Sequence, residues 1–167
     1  MRVKVPHKPI HVANAFLWKA NQDGVCDIDK LKIQKLIYCL HGWTLATSGE
    51  PVVGELYQAW PYGPVLDSIY YATKRFPHNH ITHFFDEFDP VDESRKAFMV
   101  GADDKGFWEV FDRVWDRYKC FSGLQLSALT HADGTPWSIT RAKNETYIPN
   151  ELIRDHFVSL AGGVVGA

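Results

Sequence analysis

The sequence is short of cysteine, and the three it has are poorly placed for cross-linking or metal binding. Cys26, Cys39 and Cys120 are odd in number, widely spaced and free of any C-x-x-C pair. Neither a disulfide framework nor a zinc motif can be drawn through them, and the pattern predicts a reducing compartment. No stretch approaches the roughly 18 apolar residues of a membrane span. The basic, proline-containing segment Met1–Pro9 leads into no apolar run of signal-peptide kind. A soluble, cytoplasmic chain without a membrane partner is expected. Excess positive charge is also missing: 18 Lys and Arg stand against 20 Asp and Glu, a net charge of −2. Nucleic-acid binders concentrate basic charge, so nucleic acid is not the expected partner. Gly162, Gly163 and Gly166 are terminal and not framed by strand and helix, so they make no phosphate loop, and no cofactor is expected.

What is present suits one domain. The chain has 167 residues, 46% of them hydrophobic, enough for a single core. The expected fold is mainly α, or α+β with a small β-hairpin: a compact domain of six to seven helices over residues 10–160. Flexible ends are expected at 1–9 and 161–167. Hydrophobic spacing predicts a helix over Ile10–Asn21 and a stronger one from Asp27 or Asp29 to Thr47, stopped by Gly49. In the latter Ile33, Leu36, Ile37 and Leu40 form a core stripe. Gln34, Tyr38 and His41 lie on a partly polar face, and Lys32 and Lys35 on a basic side. Val52–Trp60 reads as one or two short strands. Pro64 is expected to open a third helix, Val65–Phe76. Residues 77–106 read as a solvated loop, acidic at 86–93, with a short strand at Lys96–Val100. A fourth helix follows Asp103-Asp104 to about Tyr118. Ser122 and Gln125 form a capping box for a fifth, Gly123–His131. Thr135-Pro136-Trp137 starts a sixth and Ile148-Pro149-Asn150 a seventh.

Few constellations carry chemistry. His78-x-His80-x-x-His83 is dense in imidazole but lacks a companion carboxylate or thiol at ligand spacing, so no metal is expected. His131 and Asp133 could form a base and its orienting group, with Ser127 or Cys120 as nucleophile. No nucleophile elbow or paired-carboxylate pattern supports that, and no enzyme is expected. Lys30, Lys32 and Lys35 offer a modest basic helix side, and the fifth and sixth helices could be drawn as a helix-turn-helix without base-reading side chains at the start of the second. The distinctive feature is aromatic content, 14% with six tryptophans. Trp60-Pro61-Tyr62-Gly63-Pro64 forms a stiff corner between elements, and Trp and Tyr anchor protein interfaces.

Three segments in order resemble one family. Leu31-Lys32-Ile33-Gln34-Lys35-Leu36-Ile37-Tyr38 is similar to its K-L-Q-K-L-L-Y helix, with Ile33 in the second Leu position. Ala59-Trp60-Pro61-Tyr62-Gly63-Pro64-Val65 is similar to its A-W-x-Y-G-P-V corner, with Pro61 adding rigidity. Leu126–His131 through Pro136-Trp137 is similar to its L-S-x-L-T-H…P-W segment. This is the Panacea domain family, which includes GepA-like phage-associated proteins and SocA-like antitoxins, and the resemblance spans about residues 10–160. It implies a bacterial, prophage- or mobile-element-associated protein that neutralises a cognate toxin by direct contact. A second implied role is a proteolytic adaptor that hands a toxin to the Clp protease. The motif positions fall on Gln34, Lys35, Tyr38, Trp60, Gly63, Pro64, His131, Pro136 and Trp137. Tyr62 joins them as a candidate partner contact on the same corner. An unassigned phage protein with a DNA-binding or enzymatic role is the remaining alternative.

Overall fold

The computed structural model describes residues 4–163. They form seven helices and five short strands in the order α1 (Pro9–Asp23), α2 (Lys30–Ser48), β1 (Tyr57–Trp60), β2 (Gly63–Val65), α3 (Asp67–Thr73), β3 (Glu87–Asp89), β4 (Ser94–Lys96), α4 (Lys105–Tyr118), α5 (Gly123–Thr130), α6 (Pro136–Ala142), β5 (Tyr147–Ile148) and α7 (Asn150–Gly163). The protein is mainly α, with small antiparallel sheets ordered β2-β1-β5 and β3-β4.

The axis of the fold is α2. Asp29 caps it by accepting from the Lys32 amide, and Gly49 ends it in the left-handed conformation, φ +75°. The expected stripe Ile33, Leu36, Ile37 and Leu40 is buried, but so is every residue from Lys32 to Gly42. A helix buried on all sides must sit at the centre of its domain. Helices α4, α5 and α7 pack around it, with α1 and α3 on the remaining sides. Against α7 the approach is close: a Cβ on Gly42 would lie 2.2 Å from the Phe157 ring.

Local signals hold in most helices. Asp104 caps α4 by accepting from the Phe107 amide, and Phe107, Phe111, Val114, Trp115 and Tyr118 turn inward. Ser122 and Gln125 close the capping box on α5. Thr135 caps α6, with Pro136 at its first position. The seventh helix runs through Gly162 to Gly163. The expected flexible tail therefore begins with helical residues at 161–163, and residues 164–167 lie outside the described residues.

Three expectations are corrected. Pro64 does not open a helix: it lies in β2, and α3 begins at Asp67. The stiff corner is itself the hairpin turn, since Trp60 pairs with Gly63. Pro61 fixes φ near −65° and excludes the primed turns that usually close two-residue hairpins. Gly63, at φ +109°, supplies the positive dihedral instead. The third correction concerns residues 77–106, which carry the β3-β4 hairpin. Its strands precede the segment expected at Lys96–Val100. The acidic run can pair because cations neutralise it. Asp86 meets Arg75 and Arg95 at 2.8 and 2.6 Å, and Lys96 meets Asp89 and Asp92. The buried Asn14 amide pins the region to α1 through both Phe85 backbone groups and the Phe98 carbonyl. The described part of the 1–9 arm makes contacts with the rest of the domain. The His7 amide donates to Val52 O, and Asp104 takes both Lys4 Nζ and His7 Nε2 at 2.8 Å. Residues 1–3 lie outside the described residues.

Candidate protein-binding face

The hairpin β1-β2 is held from three sides by side chains of helices distant in sequence. From α2, the Gln34 amide donates to Leu66 O at 2.9 Å and accepts from Leu66 N at 3.0 Å. One turn on, Lys35 Nζ donates to Pro64 O at 2.8 Å. From α5, the Ser127 hydroxyl donates to Tyr62 O at 2.6 Å. From α6, the Trp137 indole donates to Trp60 O at 2.6 Å, and Arg141 to Ala59 O at 3.1 Å. The turn's own carbonyls are thus spoken for by tertiary partners, which is what a sharp, short hairpin needs to persist. Gly63 has no room for a side chain: its Cβ would sit 3.0 Å from Lys35 Nζ and 3.2 Å from Thr130 Oγ1.

This clasp is buried and electrostatically costly. Lys35 is fully buried with no carboxylate beside it, and burial pulls its ammonium from 10.5 down to about 7. Tyr38 lies against Tyr57 and Phe157, edge to face at 5.0 and 5.9 Å, and burial raises its hydroxyl pKa. His41 is driven down to about 4 by burial, against the Asn150 amide oxygen at 2.9 Å from Nε2. Gln34, Lys35 and Tyr38 therefore present no face to solvent. They build the platform under the hairpin.

What the platform displays is aromatic. Tyr62, at the turn, is 75% exposed. Half-buried Trp60 gives its indole N–H to Gln58 and stands edge-on to Tyr70 at 4.7 Å. Tyr70 continues to Tyr71 at 5.5 Å, and Lys74 Nζ lies 4.8 and 4.5 Å from the two rings. Tyr70 and Tyr71 are 39% and 59% exposed. Pro136 is buried at the head of α6, and the half-buried His131 ring packs edge-on to Trp137 at 5.3 Å. The ten residues singled out in the sequence thus converge on one hairpin. Tyr62 is well exposed, Trp60 is half-buried, and most of the others hold the hairpin in place. Sequence reading missed Tyr70 and Tyr71; an adjacent aromatic pair on a seven-residue helix was the available signal.

The rival sites lose their geometry. Ser127 gives its proton to Tyr62 O, so His131 Nδ1, 3.3 Å from Oγ, can meet it only as a donor. That polarity is the reverse of nucleophile activation, and no hydrogen bond links Asp133 to His131. Lys32 is buried, bound to Asp27 Oδ1 at 2.8 Å and to Lys119 O at 2.7 Å. With Lys35 also buried and Lys30 donating to Phe76 O, the three lysines do not form a solvated basic face. His83 packs on Phe76 at 4.6 Å. Among the described residues no three His, Cys, Asp or Glu side chains gather as a metal site would require. No helix among them is long and apolar enough to cross a membrane.

The hairpin and, Arg141 excepted, the side chains that clasp it fall within residues 33–138, the stretch matched by the family model described as antitoxin SocA-like, Panacea domain. The chain belongs to the SocA-like Panacea family. It is similar to Antitoxin SocA of Caulobacter vibrioides (strain NA1000 / CB15N), with 31% identity over 130 residues, covering 77% of this chain and 67% of that protein. No solved structure matches this member of the Panacea family.

Proposed function

We propose that this Panacea-domain protein is an antitoxin-like binding module that neutralises a cognate toxin by direct contact through the tip of β1-β2. The observation that carries the reading is a rigidly clasped turn presenting Tyr62 beside the Trp60–Tyr70–Tyr71 array. Large aromatics on a preorganised support lose little entropy on binding, the property of interface hot spots. The family relation supports the antitoxin role, and the donor polarity at Ser127 and His131 supports a non-enzymatic one. A prophage or mobile-element setting in a bacterial cytoplasm belongs to the same proposal.

The test is co-expression of the tagged protein with its neighbouring reading frame, read by mass spectrometry of the pull-down and by cell growth. The reading expects a stoichiometric neighbour that is lethal alone and harmless together. A neighbour that binds and then disappears, with Clp subunits in the same eluate, converts the module into a proteolytic adaptor. A neighbour that neither binds nor harms the cell removes the antitoxin reading.

A further inference from the structure

A second apolar surface lies away from the hairpin. Helices α4 and α5 both pack on α2, and so does α7. Between them runs an open trough floored by α2. Its larger end is a cavity of about 540 Å³ whose apolar lining includes Cys39, Phe121, Leu129 and Leu160, with Asp133 and His156 among its polar groups. Its smaller end, about 350 Å³, is lined by Trp43, Val110 and Val114 with Ala161. Arg117 lines both, and Leu160 and Ala161 are consecutive on α7, so the two ends are one continuous feature.

Shape and charge limit the occupant. The floor runs from Tyr38 to Thr47 on α2, about 14 Å at 1.5 Å per residue, or two and a half turns of a docked helix. A small ligand is usually enclosed over most of its surface, whereas an amphipathic helix lies in a groove with one face outward. Halfway along stands Arg117. Its guanidinium lies 5.1 Å from the Trp43 ring and 5.5 Å from that of Tyr118. It makes none of the salt bridges found among the described residues, while neighbouring Arg113 is engaged by Glu109. A fork stacked on two rings is preorganised for a carboxylate.

We propose that this trough seats an amphipathic helix of a partner protein, with apolar anchors at its ends and an acidic residue against Arg117. The proposal rests on the reading of the chain as a protein-binding module and gives that module a second contact. The wall formed by α7 lies outside residues 33–138, so it is the part of the trough able to vary partner choice.

The test presents the full chain to a displayed library of random 16-residue peptides. Enriched peptides are expected to carry apolar residues at i, i+3 or i+4, and i+7, with Asp or Glu between them. Their affinity should fall at least tenfold in both Arg117→Glu and Leu160→Glu, with circular dichroism and melting temperature unchanged. Tyr62→Ala should bind them as the unaltered chain does. Peptides lost with Tyr62→Ala and kept with Leu160→Glu overturn the proposal, as does a library from which nothing is enriched. Self-association abolished by Leu160→Glu also overturns it, assigning the trough to a second copy. Growth rescue by the unaltered chain is scored separately. If rescue fails while the peptide result stands, the antitoxin reading falls and the trough remains.

Discussion

Single residues show how the clasp works, and each can be probed alone. Gln34→Leu leaves the buried Leu66 amide without its partner, while the Leu66 carbonyl keeps only the Tyr70 amide. One such unsatisfied group costs about 1–3 kcal/mol, and a loss in that range is expected in urea unfolding. Gly63→Ala forces a Cβ at φ +109° toward Lys35 Nζ, and a strained position of this kind costs about 1–3 kcal/mol. Lys35 gives the pH dependence its sign. Its folded pKa, about 7, lies below the unfolded value of 10.5. Between those values the unfolded chain binds more protons, so stability rises with pH. Cys39, raised to about 12 from 9, acts oppositely above pH 9, because there the folded state holds the extra proton. The window for Lys35 is therefore pH 7 to 9, with a slope of at most about 1.4 kcal/mol per pH unit. Lys35→Met should flatten that slope in denaturant titrations. His41, lowered to about 4, makes stability fall as pH drops from 6.5 toward 4.

At the scale of elements, packing decides what periodicity leaves open. Gly42→Ala drives a methyl into the Phe157 ring and should cost about 1–3 kcal/mol by overpacking α2 against α7, measured by thermal unfolding. Caps were legible because they are local chemistry: Ser122 with Gln125 and Thr135 stand where spacing placed them, Asp29 is one of the two caps open for α2, and Asp104 belongs to the Asp103-Asp104 pair that leads into α4. Pro64 misled because a proline just inside a helix and a proline in a short edge strand give the same local signal. What decides between them is Lys35, 29 residues away, taking the Pro64 carbonyl. Lys32 and Lys35 misled for a related reason. A lysine spaced off the apolar stripe reads as solvated until another element covers it. Here the Lys119 carbonyl and the β2 backbone supply buried acceptors that no helical spacing reveals. The β3-β4 hairpin was hidden because its stabilising cations come from the segment after α3 and from the strand itself.

For the whole molecule, five helices arranged about the buried axis α2 and a hairpin clasped from α2, α5 and α6 make one support. The convergence of the motif residues was legible in their order along the chain. Their division into scaffold and display was not, because burial of Gln34, Lys35 and Tyr38 depends on the assembled fold. The central claim is that the displayed rings, and Tyr62 first, carry partner recognition without carrying stability. The measurement that tests it most directly is the affinity of the Tyr62→Ala/Tyr71→Ala double variant for the co-expressed neighbour, taken with its unfolding free energy. Binding weakened at least tenfold and loss of growth rescue are expected, with stability changed by no more than about 1 kcal/mol, the usual range for exposed side chains. Unchanged binding at unchanged stability would contradict it.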